Sequence, residues 1–329
     1  MESKKKFIPD QSRNLPDQIR ETLRYYHYAY RTEQTYGKWI KRYLAFYKMK
    51  RHPNTMGAPE IERFLSHLAT EEAVAASTQR QALNAIVFLY RDVLDIDLGE
   101  IAPVRSKRHR KPPTVLTQSE VAEMLNTMAG THRLMAQLTY GCGLRLMECI
   151  RLRVQDVDFG QGRVFVRDGK GGKDRTVVLP EAIRPLLADH LERVVALHAK
   201  DLREGFGEVY IPEALARKYP NACRETGWQY VFPSKTRSKD PRSGKIMRHH
   251  VLESGFQKAV KTAVGKAGIL KRATVHTMRH SYATHLLENG VNIRMVQKLM
   301  GHKDVKTTEI YTHVMDKDID AVQSPLDML

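Results

Sequence analysis

A short basic stretch limits what the rest of the chain can become. At 105–113 it reads RSKRHRKPP: six basic or imidazole side chains, one serine and two closing prolines. No apolar side chain ties it to a core, and the prolines stiffen its end into an extended form. Such a stretch is a linker. The segments on each side must then bury cores of their own, and 329 residues are enough for two. The expected layout is a domain over 1–104, a linker over 105–113 and a second domain over 114–329.

The first domain reads as helices. In TEQTYGKWIKRYLAFYKMK, Thr32 offers an N-cap, and Tyr36, Trp39, Ile40, Tyr43, Leu44 and Tyr47 recur at the spacing of one helix face. That aromatic stripe is assigned to the core. APEIERFLSHLAT and STQRQALNAIVFLYRDVL repeat the pattern, with Pro59 in a first turn and Ser77 as a cap. The second domain opens on a capping box, Thr117 to Glu120, and is also mostly helical. Its exception is GRVFVRDGKGGKDRTVVLP, which sets Val164 and Val166 on one side, with Val178 beyond a glycine-lysine turn. That is the pattern of a β-hairpin with Lys170 and Lys173 at its tip. Residues 202–248 are richer in Gly, Pro and polar residues and read as an insertion on the rim. The expected fold class is mainly α with a small β-hairpin or sheet (α+β).

Charge narrows the partners. Lys and Arg number 54 against 37 Asp and Glu, a formal net charge of +17 spread over both domains. A protein that lays both domains along one polyanion would look like this. So would a ribosome-associated or merely well-solvated one. Arg108 and Arg110 in the linker are expected along a phosphate backbone, while Lys38, Lys41, Arg42 and Arg80 are either further phosphate contacts or a solvated face. No apolar run approaches the ~20 residues of a membrane span. The N-terminal MESKKKFIPDQSRNLPDQIR lacks the apolar centre of a secretory signal, which points to the cytoplasm. Cys142, Cys149 and Cys223 form no CxxC pair and are read as reduced thiols, neither a disulfide frame nor a zinc site.

The chemistry concentrates in HTMRHSYATHLLENGVNIRMVQKLMGHKDVKTTEIYTH, residues 276–313. A helix is expected from Thr274–Thr277 to Gly290, with His276 and Arg279 on one face of its first turn. There the partly positive helix terminus adds to an anion site. NIRMVQKLM forms the next helix, ended by Gly301, which releases His302 into a turn; Thr307 then caps a short helix carrying Tyr311. Earlier, YGCGLRLMECIRLR sets Arg145 just past a Gly-x-Gly turn at a helix start. His280 and His285 are read as structural.

If these residues converge, two guanidinium forks, two imidazoles and a lysine surround one acceptor beside a phenol. A phosphodiester near its pentavalent transition state gains negative charge on its non-bridging oxygens, and arginine forks match that geometry while staying charged. A tyrosine, with an ordinary pKa of about 10, attacks only if cations stabilise its oxyanion or a base takes its proton. The leaving oxygen needs an acid, which a lysine at the hairpin tip could supply. The set describes a site without metal or cofactor for tyrosine attack on a nucleic-acid phosphate. Two rival readings are weaker. A zinc pair of His276 and His280 lacks an acidic partner, and GKGGK lacks the Ser/Thr and the strand-to-helix setting of a P-loop.

The order Arg…Lys…His-x-x-Arg…Gly-His…Tyr, with nine residues from His302 to Tyr311, resembles that of the tyrosine recombinase family. The resemblance implies that Arg145 and Arg279 clamp the scissile phosphate and that Lys170, with Lys173 as second candidate, is the general acid. His276 would serve in proton transfer, His302 as hydrogen-bond donor, and Tyr311 as the nucleophile of a 3′-phosphotyrosyl link. It further implies a two-domain C-shaped clamp on DNA, a helical N-terminal core-binding domain joined to the catalytic domain. Homotetramers would assemble on DNA from free monomers, with a tail at 314–329 docking into a neighbour.

LRYYHYAYRTEQTYGKWI, ALARKYPNA, MRHHV and SPLDML are similar to one branch of that family, the integron integrases. That similarity implies a bacterial, nucleoid-associated enzyme exchanging gene cassettes between a double-stranded primary site and folded single-stranded cassette sites. The insert at 202–248 would recognise flipped-out bases, with Trp228 and Pro241 stacking and His249 and His250 in contact. An unpaired base offers a π-face, and stacking on it is worth ~1–3 kcal/mol. Trp228 would serve equally as a core indole. Phage-type and chromosome-dimer-resolving recombinases and type IB topoisomerase-like enzymes share the chemistry, and a silent DNA-binding protein would share the shape.

Overall fold

The structure is a computed structural model that describes residues 7–99, 101, 113–167 and 174–311. The chain divides into two compact units, Met1–Arg110 and Lys111–Leu329. Arg108 and Arg110 of the linker lie outside the described residues, as do Lys170, Lys173 and the tail at 314–329.

The first unit is built from α1 (Leu15–Tyr25), α2 (Tyr30–Phe46), α3 (Ala58–Thr70) and α4 (Ala76–Phe88), the last running on through a π-turn at Leu89–Val93. The aromatic stripe turns inward as its spacing requires: Trp39, Ile40 and Tyr43 are buried, against Phe64, Leu65 and Leu68 of α3 and Ala82, Ala85 and Ile86 of α4. Each such apolar side chain contributes roughly 1.5–3 kcal/mol on burial. Tyr43 and Tyr90 satisfy one another through a 3.0 Å hydrogen bond between their hydroxyls. The expected caps are displaced. Ala29 rather than Thr32 precedes α2, and Ala75 rather than Ser77 precedes α4, neither with a side-chain cap. Packing decides both starts: Tyr28, just before α2, lies against Tyr36 and Phe88, so the chain enters the helix early. The amide of Val74 is tied to the Leu68 carbonyl, which fixes the approach to α4.

The second unit opens on α5 (Gln118–Asn126), where Thr117 Oγ1 accepts from the Glu120 amide at 3.1 Å and Glu120 Oε2 accepts from the Thr117 amide at 2.7 Å. Then follow α6 (Gly130–Gly141), α7 (Leu146–Ile150), and an antiparallel sheet of β1 (Val157–Asp158), β2 (Arg163–Val166) and β3 (Arg175–Val178) in that spatial order. Val166 faces Arg175 across the β2–β3 pair. Val164, Val166 and Val177 face the core, while Val178 is exposed, so the second strand buries the residue before the one its sequence suggested.

The long α8 (Arg184–Arg203) leads to α9 (Glu213–Lys218) and to a two-stranded ribbon of β4 (Ser238–Lys239) and β5 (Ile246–Met247). Then come α10 (Glu253–Lys266), α11 (Val275–Glu288), α12 (Ile293–Met300) and α13 (Lys306–Glu309). Leu134, Met135 and Leu138 of α6, Phe256 and Val260 of α10, and Met278 of α11 form the core with the sheet. Asp304, not Thr307, organises the start of α13: its Oδ1 accepts from the Lys306 amide at 3.0 Å and its carbonyl from the Thr307 amide. Tyr311 lies just past the end of that helix. No helix among the described residues is long and apolar enough to cross a membrane.

Candidate active site

The site grows from two glycines. At the end of α6, Gly143 has φ +60°, and a Cβ there would meet the Tyr282 ring at 2.4 Å. Only glycine lets this turn press against α11. The turn leaves the Gly143 carbonyl accepting from Arg279 Nη1 and makes Arg145 the N-cap of α7. At the end of α12, Gly301 has φ +60° and frees the last carbonyls of the helix. Met300 O accepts from Arg279 Nη2 and from Arg145 Nη2, the latter at 3.4 Å, and Leu299 O accepts from Arg175 Nε at 2.8 Å. Three cations thus sit on the partly negative end of one helix.

Glu148 holds them together. Its carboxylate accepts from the Arg145 amide at 2.8 Å, from Arg145 Nη1 at 2.6 Å, and from Arg175 Nη1 and Nη2 at 2.9 and 2.6 Å, with Arg279 Nη1 at 3.7 Å. Burial works to raise its pKa, but the hydrogen bonds and charges of Arg175 and Arg145 hold it at about 2. Side-chain exposure is 7% for Glu148, 6% for Arg175, 5% for Arg279 and 19% for Arg145. Among the described residues, one buried carboxylate against three guanidiniums leaves positive charge uncompensated in a poorly solvated place. That is costly unless an anion completes the set. Burial, then the charge of Arg145, lowers Arg279 to about 9. Each guanidinium carries five N–H donors, so donors remain for an incoming anion.

Tyr311 closes the site. Its side chain is buried with Ala283, Leu287, Val296 and Met300, and its hydroxyl lies 2.9 Å from His280 Nδ1. Burial raises its pKa, while Arg279 and then Arg145 pull the other way, as groups sharing one site must. The His302 ring lies nearly parallel to the Tyr311 ring at 6.3 Å between centroids, and its Nδ1 is 2.9 Å from Thr308 Oγ1. Burial, then Arg279 and Arg145, lowers His302 to about 4, so it is neutral at pH 7. His276 stands in the first turn of α11 with its outer face open to solvent. Partial burial of its ring, then the charges of Arg279 and Arg145, holds it below its ordinary value.

The structure therefore brings Arg145, Arg279, His302 and Tyr311 together, with His276 beside them. Sequence reasoning missed Glu148 and Arg175 and read His280 as structural. His285 is structural in fact: its Nδ1 meets Tyr140 Oη at 2.8 Å and its Nε2 meets the Leu116 carbonyl at 2.9 Å.

The residues expected from the sequence to contact bases, Trp228, Pro241, His249 and His250, lie elsewhere in the same unit. Trp228 is half-buried against a small cluster of Val209, Ile211, Ala222 and Tyr230. Arg153 fastens that cluster: its guanidinium lies 3.7 Å from the Tyr230 ring centroid and donates to the carbonyls of Trp228 and Tyr210 at 2.7 and 2.8 Å. His250 meets the same ring edge-on at 5.2 Å. Pro241 is exposed in the turn between β4 and β5, where Asp240 Oδ1 accepts from the amides of Arg242 and Ser243 at 3.0 and 2.7 Å. His249 Nε2 lies 3.5 Å from Asp240 Oδ2. Trp228 and His250 thus both pack on the Tyr230 cluster, and His249, beyond β5, lies beside Asp240 of the turn that carries Pro241.

Residues 114–318 match the Phage integrase family, and residues 15–100 match the Phage integrase, N-terminal SAM-like domain. An integrase/recombinase of Escherichia coli is 49% identical over 322 residues, covering 98% of this chain and 95% of its own. Tyrosine recombinase XerD of Oceanobacillus iheyensis is 31% identical over 298 residues, covering 86% and 87%. Among solved structures, a lambda integrase (75-356) dimer bound to a COC' core site matches with a TM-score of 0.61 over 94% of this chain and 98% of its own. At 15% identity that likeness is one of fold.

Proposed function

The chain belongs to the Phage integrase family and is a site-specific DNA recombinase of the tyrosine class, and from that premise we propose that it is an integron integrase. It exchanges gene cassettes between a double-stranded primary site and folded single-stranded cassette sites. The observation that carries the chemistry is the convergence of Arg145 and Arg279 on the Met300 carbonyl and on Glu148, with the Met300 side chain in the same buried cluster as Tyr311.

Tyr311 Oη attacks the scissile phosphorus while the two guanidinium forks hold the non-bridging oxygens, whose charge rises in the transition state. Lys170, or Lys173, protonates the departing 5′-oxygen, and His302 donates a hydrogen bond. The product is a 3′-phosphotyrosyl link and a free 5′-hydroxyl. An incoming strand's 5′-hydroxyl reverses the step, so bond energy is conserved and neither metal nor nucleotide is consumed. Exchange between two sites needs protein on both sides of each, hence a homotetramer on DNA. Arg108 and Arg110 contact phosphates.

The integron assignment rests on the insert. Its support is a platform of aromatic and imidazole groups around Tyr230 that Arg153 holds rigid, with Trp228 partly open to solvent. A nicked suicide substrate is expected to trap covalent protein in excess chelator; loss of trapping that zinc or magnesium restores would point to a metallonuclease. Trp228→Ala is expected to weaken binding to hairpin DNA with extrahelical bases by ~1–3 kcal/mol, and binding to plain duplex by less. Equal losses on both DNAs would count against the insert's role and leave a generic tyrosine recombinase.

A further inference from the structure

We propose that His280 is the group that takes the phenolic proton when Tyr311 attacks. The inference deepens the reading of Tyr311 as nucleophile and depends on it. His280 Nδ1 is the hydrogen-bond partner of the Tyr311 hydroxyl among the described residues, at 2.9 Å; in the tautomer that carries its proton on Nε2, the phenol donates and Nδ1 accepts. The two rings lie 5.6 Å apart between centroids at 50°. A base must first be within hydrogen-bond reach of the proton it removes, and His280 is. His276 stands one helical turn earlier, at the open start of α11.

The placement follows from the sequence. His280 is the residue after Arg279 on α11, so the group expected to hold the phosphate and the group holding the attacking oxygen ride on one rigid segment. Tyr311 is brought to it from the other side by the turn after α12, which the His302–Thr308 hydrogen bond fixes and the Tyr311 amide, donating to the Thr308 carbonyl at 3.0 Å, completes. Burial, then the charges of His276 and Arg279, lowers the His280 imidazole to about 4, so the ring is neutral at pH 7 and one of its two nitrogens carries no proton.

As the Oη–P bond forms, the O–H bond breaks. Its electron pair stays on Oη to make the new bond, and its proton passes to Nδ1. The P–O5′ bond breaks, and O5′ takes a proton from the general acid. The imidazolium faces Arg279, His276 and His302, which oppose it, and the added negative charge on phosphorus, which favours it. When an incoming 5′-hydroxyl reverses the step, His280 returns the proton to the departing phenolate.

The test uses the full chain and a suicide duplex with sulfur in place of the bridging 5′-oxygen. A thiolate leaves without an acid, so its rate reports activation of the nucleophile. His280→Ala and His280→Asn are expected to slow single-turnover cleavage by ~10²-fold or more, with DNA affinity unchanged. Asparagine can accept the phenolic hydrogen bond near the Nδ1 position but cannot take the proton, so it separates positioning from proton transfer. Free imidazole should restore part of the His280→Ala rate. In both variants the rate should go on climbing with pH to the range of the Tyr311 phenol itself, which burial holds above its ordinary ~10, where wild type, with Arg279, His276 and His302 around its base, levels off earlier. Cleavage by His280→Asn at the wild-type rate, with the adduct still on Tyr311, would overturn the role of His280 alone. A wild-type adduct on some other residue would overturn the nucleophile assignment itself. Should His280→Ala fail to fold, His280→Asn decides.

Discussion

Tyr311→Phe is expected to form no covalent adduct with DNA while binding it as tightly as wild type. The ring of Tyr311 fills a buried site among Ala283, Leu287, Val296 and Met300, and phenylalanine keeps that volume. What is lost is one oxygen, the atom proposed to attack. His280 Nδ1 loses its hydrogen-bond partner, which leaves a part-buried ring nitrogen unpaired at a cost of ~1–3 kcal/mol. A modest fall in Tm is therefore expected, not unfolding. Trapping on a nicked substrate, read on a denaturing gel beside a binding isotherm, measures both effects. An adduct that survives the substitution contradicts the assignment.

Glu148→Gln is expected to be the most damaging single change to stability around the site. Glutamine keeps the size of the side chain but removes the carboxylate that, among the described residues, faces Arg145, Arg175 and Arg279. Breaking a buried ion pair by neutralising one partner costs about 3–5 kcal/mol, because the other charge stays desolvated. The pH dependence carries the same information. Glu148 has a folded pKa of about 2 against an ordinary 4.5. A depressed carboxylate stabilises the fold above its ordinary value, and that stability is lost as pH falls from 4.5 through about 2. Wild type should lose roughly 3 kcal/mol from this group across that window, and Glu148→Gln should lose less. Thermal denaturation across the acid range checks it. Equal stability of the two proteins at neutral pH would show that the guanidiniums need no carboxylate. Cleavage should fall as well, because Glu148 sets the direction of Arg145 and Arg175.

What the sequence made legible was local. The capping box at Thr117, the glycine ends at Gly143 and Gly301, and the alternation of Val164 and Val166 are written within a few neighbouring residues, and each is realised. Arg145, Arg279, His302 and Tyr311 could be named because their order along the chain is itself a pattern. Glu148 and Arg175 could not. In the sequence one is a first-turn glutamate and the other a strand arginine, and their meeting exists only because α7 and β3 both abut the end of α12. Their pairing spans 27 positions, and the contact of Arg279 with Gly143 spans 136. His280 was read as structural for a related reason: a lone helical histidine usually packs, and its partner arrives 31 residues later, after two turns. A histidine directly after the clamp arginine was the one signal available. The caps at Thr32, Ser77 and Thr307 failed where aromatic packing or a neighbouring aspartate fixed the helix start first.

The most direct measurement is a structure of the Tyr311→Phe protein bound to an uncleaved duplex site. Both guanidinium groups, Arg145 and Arg279, should lie at hydrogen-bond distance, about 3 Å, from non-bridging oxygens of one and the same phosphate, with the aromatic ring at 311 directed at its phosphorus. Finding the two arginines on different phosphates, or the ring turned away with no phosphate within reach, would contradict the account.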